Sequence, residues 1–289
     1  MAGSESAGNF RSSYYDKAGI RNVNETKALD QALSRNPVDI GKLCCLLQRI
    51  TVPASHRERL WKLVLGITPA DSRIAKSIEE DRRGQFEMLK STLEVMRLID
   101  AKSSPVETVT LMILLERGEL QMNHKSQLDS AIVRDLQQVF GVMCHVASKL
   151  QDAYWLARNF HNHMVELRFD TNDLISQTRS LLEKDDPTLL ECLVRGSQDG
   201  TISIQHWFNL YFASVLPESA LLKVWDKILG GCVGKLGCKH LTTTAKIILI
   251  QLRPAIVEAK SNEQITQILH QPLPEELATP LLNTLKGAN

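Results

Sequence analysis

The chain has 289 residues, with 34 Lys and Arg against 33 Asp and Glu and a formal net charge of +1. That balance removes the basic surplus on which sequence-independent nucleic-acid binding depends. A 43% apolar content with only 15 Gly and 10 Pro suits a globular core of long, rarely interrupted helices.

Met1 to Asp16 is polar. It holds no apolar run of signal-peptide length, and Ala2 breaks the myristoylation pattern, so a cytosolic location is expected. The first eight residues read as a frayed tail. Asn9 to Tyr15 then concentrates Phe10, Tyr14 and Tyr15, which suits an anchoring segment seated in a groove of the body. The boundary is placed at residue 24, with the domain proper over 25–286.

Ser55-His56-Arg57-Glu58 has the form of a capping box and opens a helix carrying Leu60, Trp61 and Leu65. Asp71-Ser72 opens a longer one, with Ile74, Ile78, Phe86, Leu89, Leu93 and Met96 at helical spacing as far as about Ile99. Pro105 suits a first helical turn, and Gly118 ends that helix. Leu128, Ile132, Leu136, Val139, Met143, Val146 and Leu150 step by three and four as the core stripe of a single helix. Asp186-Pro187 and Ser261 with Gln264 mark two further helix starts. The longest alternating segment is Thr201-Ile202-Ser203-Ile204, so the expected fold class is all-α, with about a dozen helices in two packed layers.

Catalytic and metal motifs find no support. Cys44, Cys45, Cys144, Cys192, Cys232 and Cys238 form no Cys-x-x-Cys pair, which suits reduced, mostly buried thiols. Cys232, Cys238 and His240 lack the second ligand pair a structural zinc site needs. Arg195 to His206 imitates a calcium loop around Gly200, but Arg195, Ser197, Asp199 and His206 occupy the ligand places, and a cation at the first repels calcium. His161 and His163 fall on different sides of a helix. There is no phosphate-binding glycine loop, nucleophile elbow or zincin motif. No cofactor and no metal are expected.

Two tryptophan-bearing patches stand out. One is Arg57-Glu58-Arg59-Leu60-Trp61 through Leu65-Gly66; the other runs from Trp207-Phe208 through Leu216-Pro217 to Trp225-Asp226. By themselves the Trp residues suit core packing, and Asp226 suits a local cap or pair. In combination these patches, with Asp152-Ala153-Tyr154-Trp155 between them, resemble the TBC-domain family, GTPase-activating proteins best known for acting on Rab GTPases. The resemblance implies a two-lobed helical domain in which Arg57, Trp61, Gly66, Asp152, Trp155, Trp207, Pro217, Trp225 and Asp226 are structural motif residues.

Active members of that family insert an arginine from Ile-x-x-Asp-x-x-Arg and a glutamine from Tyr-x-Gln into the GTPase site. Here Ile78-Glu79-Glu80-Asp81 ends at Gly84 and Ile132-Val133-Arg134-Asp135 ends at Gln138, and none of Tyr14, Tyr15, Tyr154 and Tyr211 has Gln two residues later. An arginine finger is worth roughly 10³ to 10⁵ in rate, so the resemblance implies a member that is not an enzyme.

Asn9-Phe10-Arg11-Ser12, Tyr14-Tyr15, Leu115-Glu116 with Gly118 and Leu120, and Leu216-Pro217-Glu218-Ser219 are similar to the branch of the family that furnishes the small third subunit of the tuberous sclerosis complex. The likeness implies binding to the coiled coil of hamartin, with tuberin in a ternary complex. Through that complex it implies support of GTPase activation on Rheb, restraint of mTOR complex 1, and recruitment to lysosomal or vesicle surfaces. A coiled-coil partner needs an apolar groove, and Leu93, Met96, Val109, Met112, Ile113 and Leu115 are the expected lining. Two other readings stay open. One is a Rab-directed activator using Arg82, Arg83 or Arg134; the other is a helical docking module with different partners.

Overall fold

The computed structural model describes residues 21–167, 169–195, 202–231 and 236–277. The aromatic segment around Phe10 to Tyr15, half of the calcium-like loop (196–201), Cys232 and the C-terminal tail lie outside the described residues.

Fifteen helices and no strand are present among the described residues. They are α1 (Arg21–Leu33), α2 (Ile40–Arg49), α3 (Ala54–Val64), α4 (Ser72–Val95), α5 (Pro105–Glu116), α6 (His124–Leu128), α7 (Ala131–Val146), α8 (Leu150–Glu166), α9 (Thr171–Asp185), α10 (Pro187–Val194), α11 (Gln205–Asn209), α12 (Glu218–Gly230), α13 (Leu236–Gln251), α14 (Arg253–Glu258) and α15 (Asn262–His270). The all-α expectation therefore holds, although the first helix already begins at Arg21. Among the described residues no helix is long and apolar enough to cross a membrane.

Local chemistry explains most boundaries. Asp71 accepts from the Arg73 amide at the start of α4, Ser104 from Glu107 ahead of Pro105, and Asp186 from Leu189 ahead of Pro187. At α15 the Ser261 hydroxyl accepts from the Gln264 amide, while the Gln264 side chain accepts from Lys260. The cap is reciprocal there, displaced by one residue from a standard box.

Two expectations are corrected. Pro53 is the N-cap of α3 and makes no side-chain cap bond. The Ser55 hydroxyl turns to the adjacent His56, and Glu58 reaches across to the Ser148 amide, so the apparent capping box is taken up by one local and one tertiary contact. The stripe from Leu128 to Leu150 is divided among α6, α7 and α8. Ser130 caps α7 by accepting from Val133, and Ala147 is extended at its end. Apolar spacing persists through these breaks because all three pieces pack on one core, although Ile132 of the expected stripe is 76% exposed.

Two groups of helices result. In the first, α7 packs on α5 and α8, and α4 lies along α5 with a lighter contact to α8. In the second, α9 packs on α13, α12 on α13, and α10 on α14. The early helices α2 and α3 join the groups by packing on α12. One continuous apolar core runs through both, with Trp61, Tyr154, Phe140, Phe160, Trp207, Phe212 and Trp225 fully buried.

Candidate functional site

The family-like residues meet at the α3–α12 junction. The Arg57 guanidinium donates from Nε to both Asp226 carboxylate oxygens at 3.2 Å and from Nη2 to Oδ2 at 3.0 Å. It also donates to the Val52 carbonyl at 2.9 Å, and Trp61 Nε1 donates to Asp226 Oδ1 at 2.8 Å. Asp226 is only 2% exposed. Burial pushes its carboxyl above the usual carboxylate range, opposed by Arg57 and the Trp61 donor. Asp226 therefore bonds across the chain rather than capping locally. No neighbour-scale sequence signal reveals a partner 169 positions away.

Around this node the rings interlock. Trp225 lies 6.1 Å from Trp61 and 4.7 Å from Phe160 by ring centroids, and its indole donates to the Tyr211 carbonyl. Trp207 donates to the Leu269 carbonyl, tying α11 to α15. Pro217 is the N-cap of α12. Gly66 has φ +66°, a conformation glycine adopts without strain, and this turn closes α3 with the Ile67 and Thr68 amides donating to Lys62.

Asp152 and Trp155 lie on α8 toward α4. Lys62 donates to Asp152 at 2.6 Å. Trp155 is stacked against two cations, with Arg82 Cζ 4.7 Å and Arg158 Cζ 5.2 Å from its ring centroid. Arg158 also grips Glu116, as does the Tyr154 hydroxyl, and burial with the nearby Glu116 charge pushes the Tyr154 phenol up. Arg82 donates to the Gly66 carbonyl at 2.9 Å. Of the arginines weighed as fingers, Arg82 is thus held against the body, while Arg83 and Arg134 are exposed. Arg134 lines an open cleft with Lys125, Glu107 and Asp129.

The aliphatic lining expected for a partner groove is differently disposed. Leu93, Val109, Met112 and Ile113 are core residues at 0–2% exposure. Leu115 is half-buried and packed against the core, and only Met96 is well exposed. The expectation that these six form an exposed groove is corrected: α5 sits between α4, α7 and α8, so its apolar face is already spent.

The open apolar surface lies instead on α4. Over its 24 residues this helix buries only Phe86 and Leu93. Ile74, Met88 and Val95 are exposed, at 50%, 65% and 83%. They occupy first, third and fourth places in a seven-residue repeat whose second place is Asp81. The half-buried Ile78 follows Ile74 by one turn, and Met96 extends the patch at its end. Sequence periodicity placed Ile74 and Met96 on the same stripe as Phe86 and Leu93, and passed over Met88 and Val95. A helix with apolar residues on two faces carries a mixed signal, and only the neighbours decide which face is inward.

The geometry of these elements agrees with what comparison finds. The family described as the Rab-GTPase-TBC domain matches residues 116–257. TBC1 domain family member 7 of Danio rerio is 32% identical over 269 residues, covering 93% of this chain and 90% of that protein. The Xenopus tropicalis protein of the same name is 30% identical over 280 residues, and the Homo sapiens one 29% over 284, each covering 96% of this chain and 93% of the relative. Among solved structures, the Ypt/Rab-GAP domain of Gyp1p superposes with a TM-score of 0.60 at 14% identity, over 92% of this chain and 97% of that one, a likeness of fold. The chain belongs to the TBC-domain family.

Proposed function

We propose that this chain is a non-catalytic TBC-domain subunit that holds a coiled-coil partner of the hamartin kind along α4. In this reading tuberin completes the assembly, which promotes GTP hydrolysis on Rheb, restrains mTOR complex 1 and brings the chain to lysosomal or vesicle surfaces. The observation that carries it is the seven-residue spacing of Ile74, Met88 and Val95 on the solvent side of α4. A coiled-coil helix packs on such a seam, since it presents its own apolar residues at that period. The relatives named TBC1 domain family member 7 support membership of the TBC-domain family, and the choice of partner follows from the resemblance of the motifs.

The non-catalytic half of the reading is supported by Gly84 at the arginine-finger place and by the attachment of Arg82 to Trp155 and Gly66. A finger must be free to reach the terminal phosphate of a docked GTPase. Single-turnover GTP hydrolysis across a Rab panel, with purified chain free of tuberin, tests this. The expected result is no acceleration on any member; acceleration that disappears in an arginine-to-alanine variant overturns it.

A further inference from the structure

Between α3, α4 and α8 lies a pocket of about 90 Å³ lined by Lys62, Thr68, Glu79, Arg82, Asp152 and Trp155, among others. Two of its lining residues carry buried donors with no hydrogen-bond partner among the described residues, Arg82 Nε and Trp155 Nε1. Trp155 is only 3% exposed. A buried N–H left unmatched is costly, so each calls for an acceptor, and the pocket that both residues line is the space open to one.

The charges narrow its chemistry. Asp152 is matched by Lys62 at 2.6 Å, whereas Arg82 makes no ion pair with a carboxylate among the described residues. Arg158, on the same ring, is already matched by Glu116 at 2.7 Å, so Arg82 is the cation that the new group would meet. An acceptor bearing one negative charge fits this balance. A dianion is disfavoured by Asp152 and Glu79 in the wall. The volume exceeds the roughly 10–15 Å³ that one water occupies by the same kind of measure, leaving room for a planar group of two oxygens.

We propose that this pocket binds a carboxylate group, with Trp155 Nε1 and Arg82 Nε donating one hydrogen bond each to it. The site is separate from the α4 seam, and neither reading requires the other. The carboxylate comes from a small organic acid or from an Asp or Glu side chain of a bound protein.

The test is the indole N–H resonance of Trp155 in the full chain, assigned by its loss in Trp155→Phe. Acetate, N-acetyl-glutamate amide with its α-carboxyl blocked, inorganic phosphate and sodium chloride are each titrated at matched ionic strength. A saturable shift of this one indole with either carboxylate, weaker with phosphate and absent with chloride, is the expected result. Tighter binding of the glutamate compound assigns a protein side chain as the source, and tighter binding of acetate a free acid. Arg82→Met removes both the Nε donor and the charge while keeping an unbranched stem against the ring, and is expected to weaken binding at least about tenfold. No saturable shift with either carboxylate, the same shift with chloride, or tighter binding of phosphate overturns the proposal. So does an unchanged affinity in Arg82→Met.

Discussion

Arg57 and Asp226, separated by 169 positions, form a buried forked pair that fastens α3 to α12. Trp61 and the Val52 carbonyl complete the polar matching. Together they join the early helices to the second helical group.

Removing one partner strands the other charge in the core. Asp226→Leu is expected to cost about 3–5 kcal/mol, and Arg57→Met a similar amount. The double variant Arg57→Met, Asp226→Leu is expected to lose much less than the sum, since no lone charge remains buried. Urea unfolding of the four proteins measures this; additive losses contradict the pairing.

The α2–α12 contact is closed by Gly230. A Cβ there would stand 2.8 Å from both the Cys44 carbonyl oxygen and Leu47 Cβ. The carbonyl belongs to helix backbone and cannot swing aside. Gln48 donates to the Gly230 carbonyl at 2.8 Å, and Lys227 donates to the Gln48 carbonyl, so the two helices are held at this separation. Gly230→Ala is expected to destabilise by about 1–3 kcal/mol, although alanine favours helix over glycine. A rise in melting temperature contradicts the close approach.

How much of this was legible beforehand depends on the range of each interaction. Asp71, Pro105, Asp186 and Ser261 announced their helices because a cap is made within three residues. Ser55 and Glu58 offered the same pattern and were diverted by His56 and Ser148. Arg57 and Asp226 were each recognisable as motif residues through family resemblance, but their pairing was not, because nothing in the intervening chain encodes a contact across 169 positions. At the proposed partner surface, composition identified α4 and α5 as rich in aliphatic residues. Which of these face outward follows from α5 being enclosed by α4, α7 and α8.

Three imidazoles make the fold acid-sensitive. Burial pushes His161, His206 and His240 down to about 4, with Arg117, His270 and Lys227 adding respectively. An unfolded imidazole titrates near 6.5. Between pH 6.5 and 4 the unfolded chain therefore binds protons that the folded chain refuses, and stability falls as pH falls. Asp71, held down to about 2 by Arg73, acts at lower pH. The melting temperature is expected to be several degrees lower at pH 5 than at pH 7.5. His206→Asn, whose amide can still donate to the Leu269 carbonyl, is expected to flatten part of that slope. An equal melting temperature at both values contradicts the assignment.

The α4 surface is tested most directly by titrating the hamartin coiled coil with purified wild-type chain and with the Met88→Glu, Val95→Glu double variant. Both residues are exposed, so the variant is expected to keep the wild-type helical content and melting temperature. Burying each side chain is worth about 1.5–3 kcal/mol, and the double change is expected to weaken binding by at least about 100-fold. Undiminished affinity in a folded double variant, or no binding by the wild-type chain, contradicts the account.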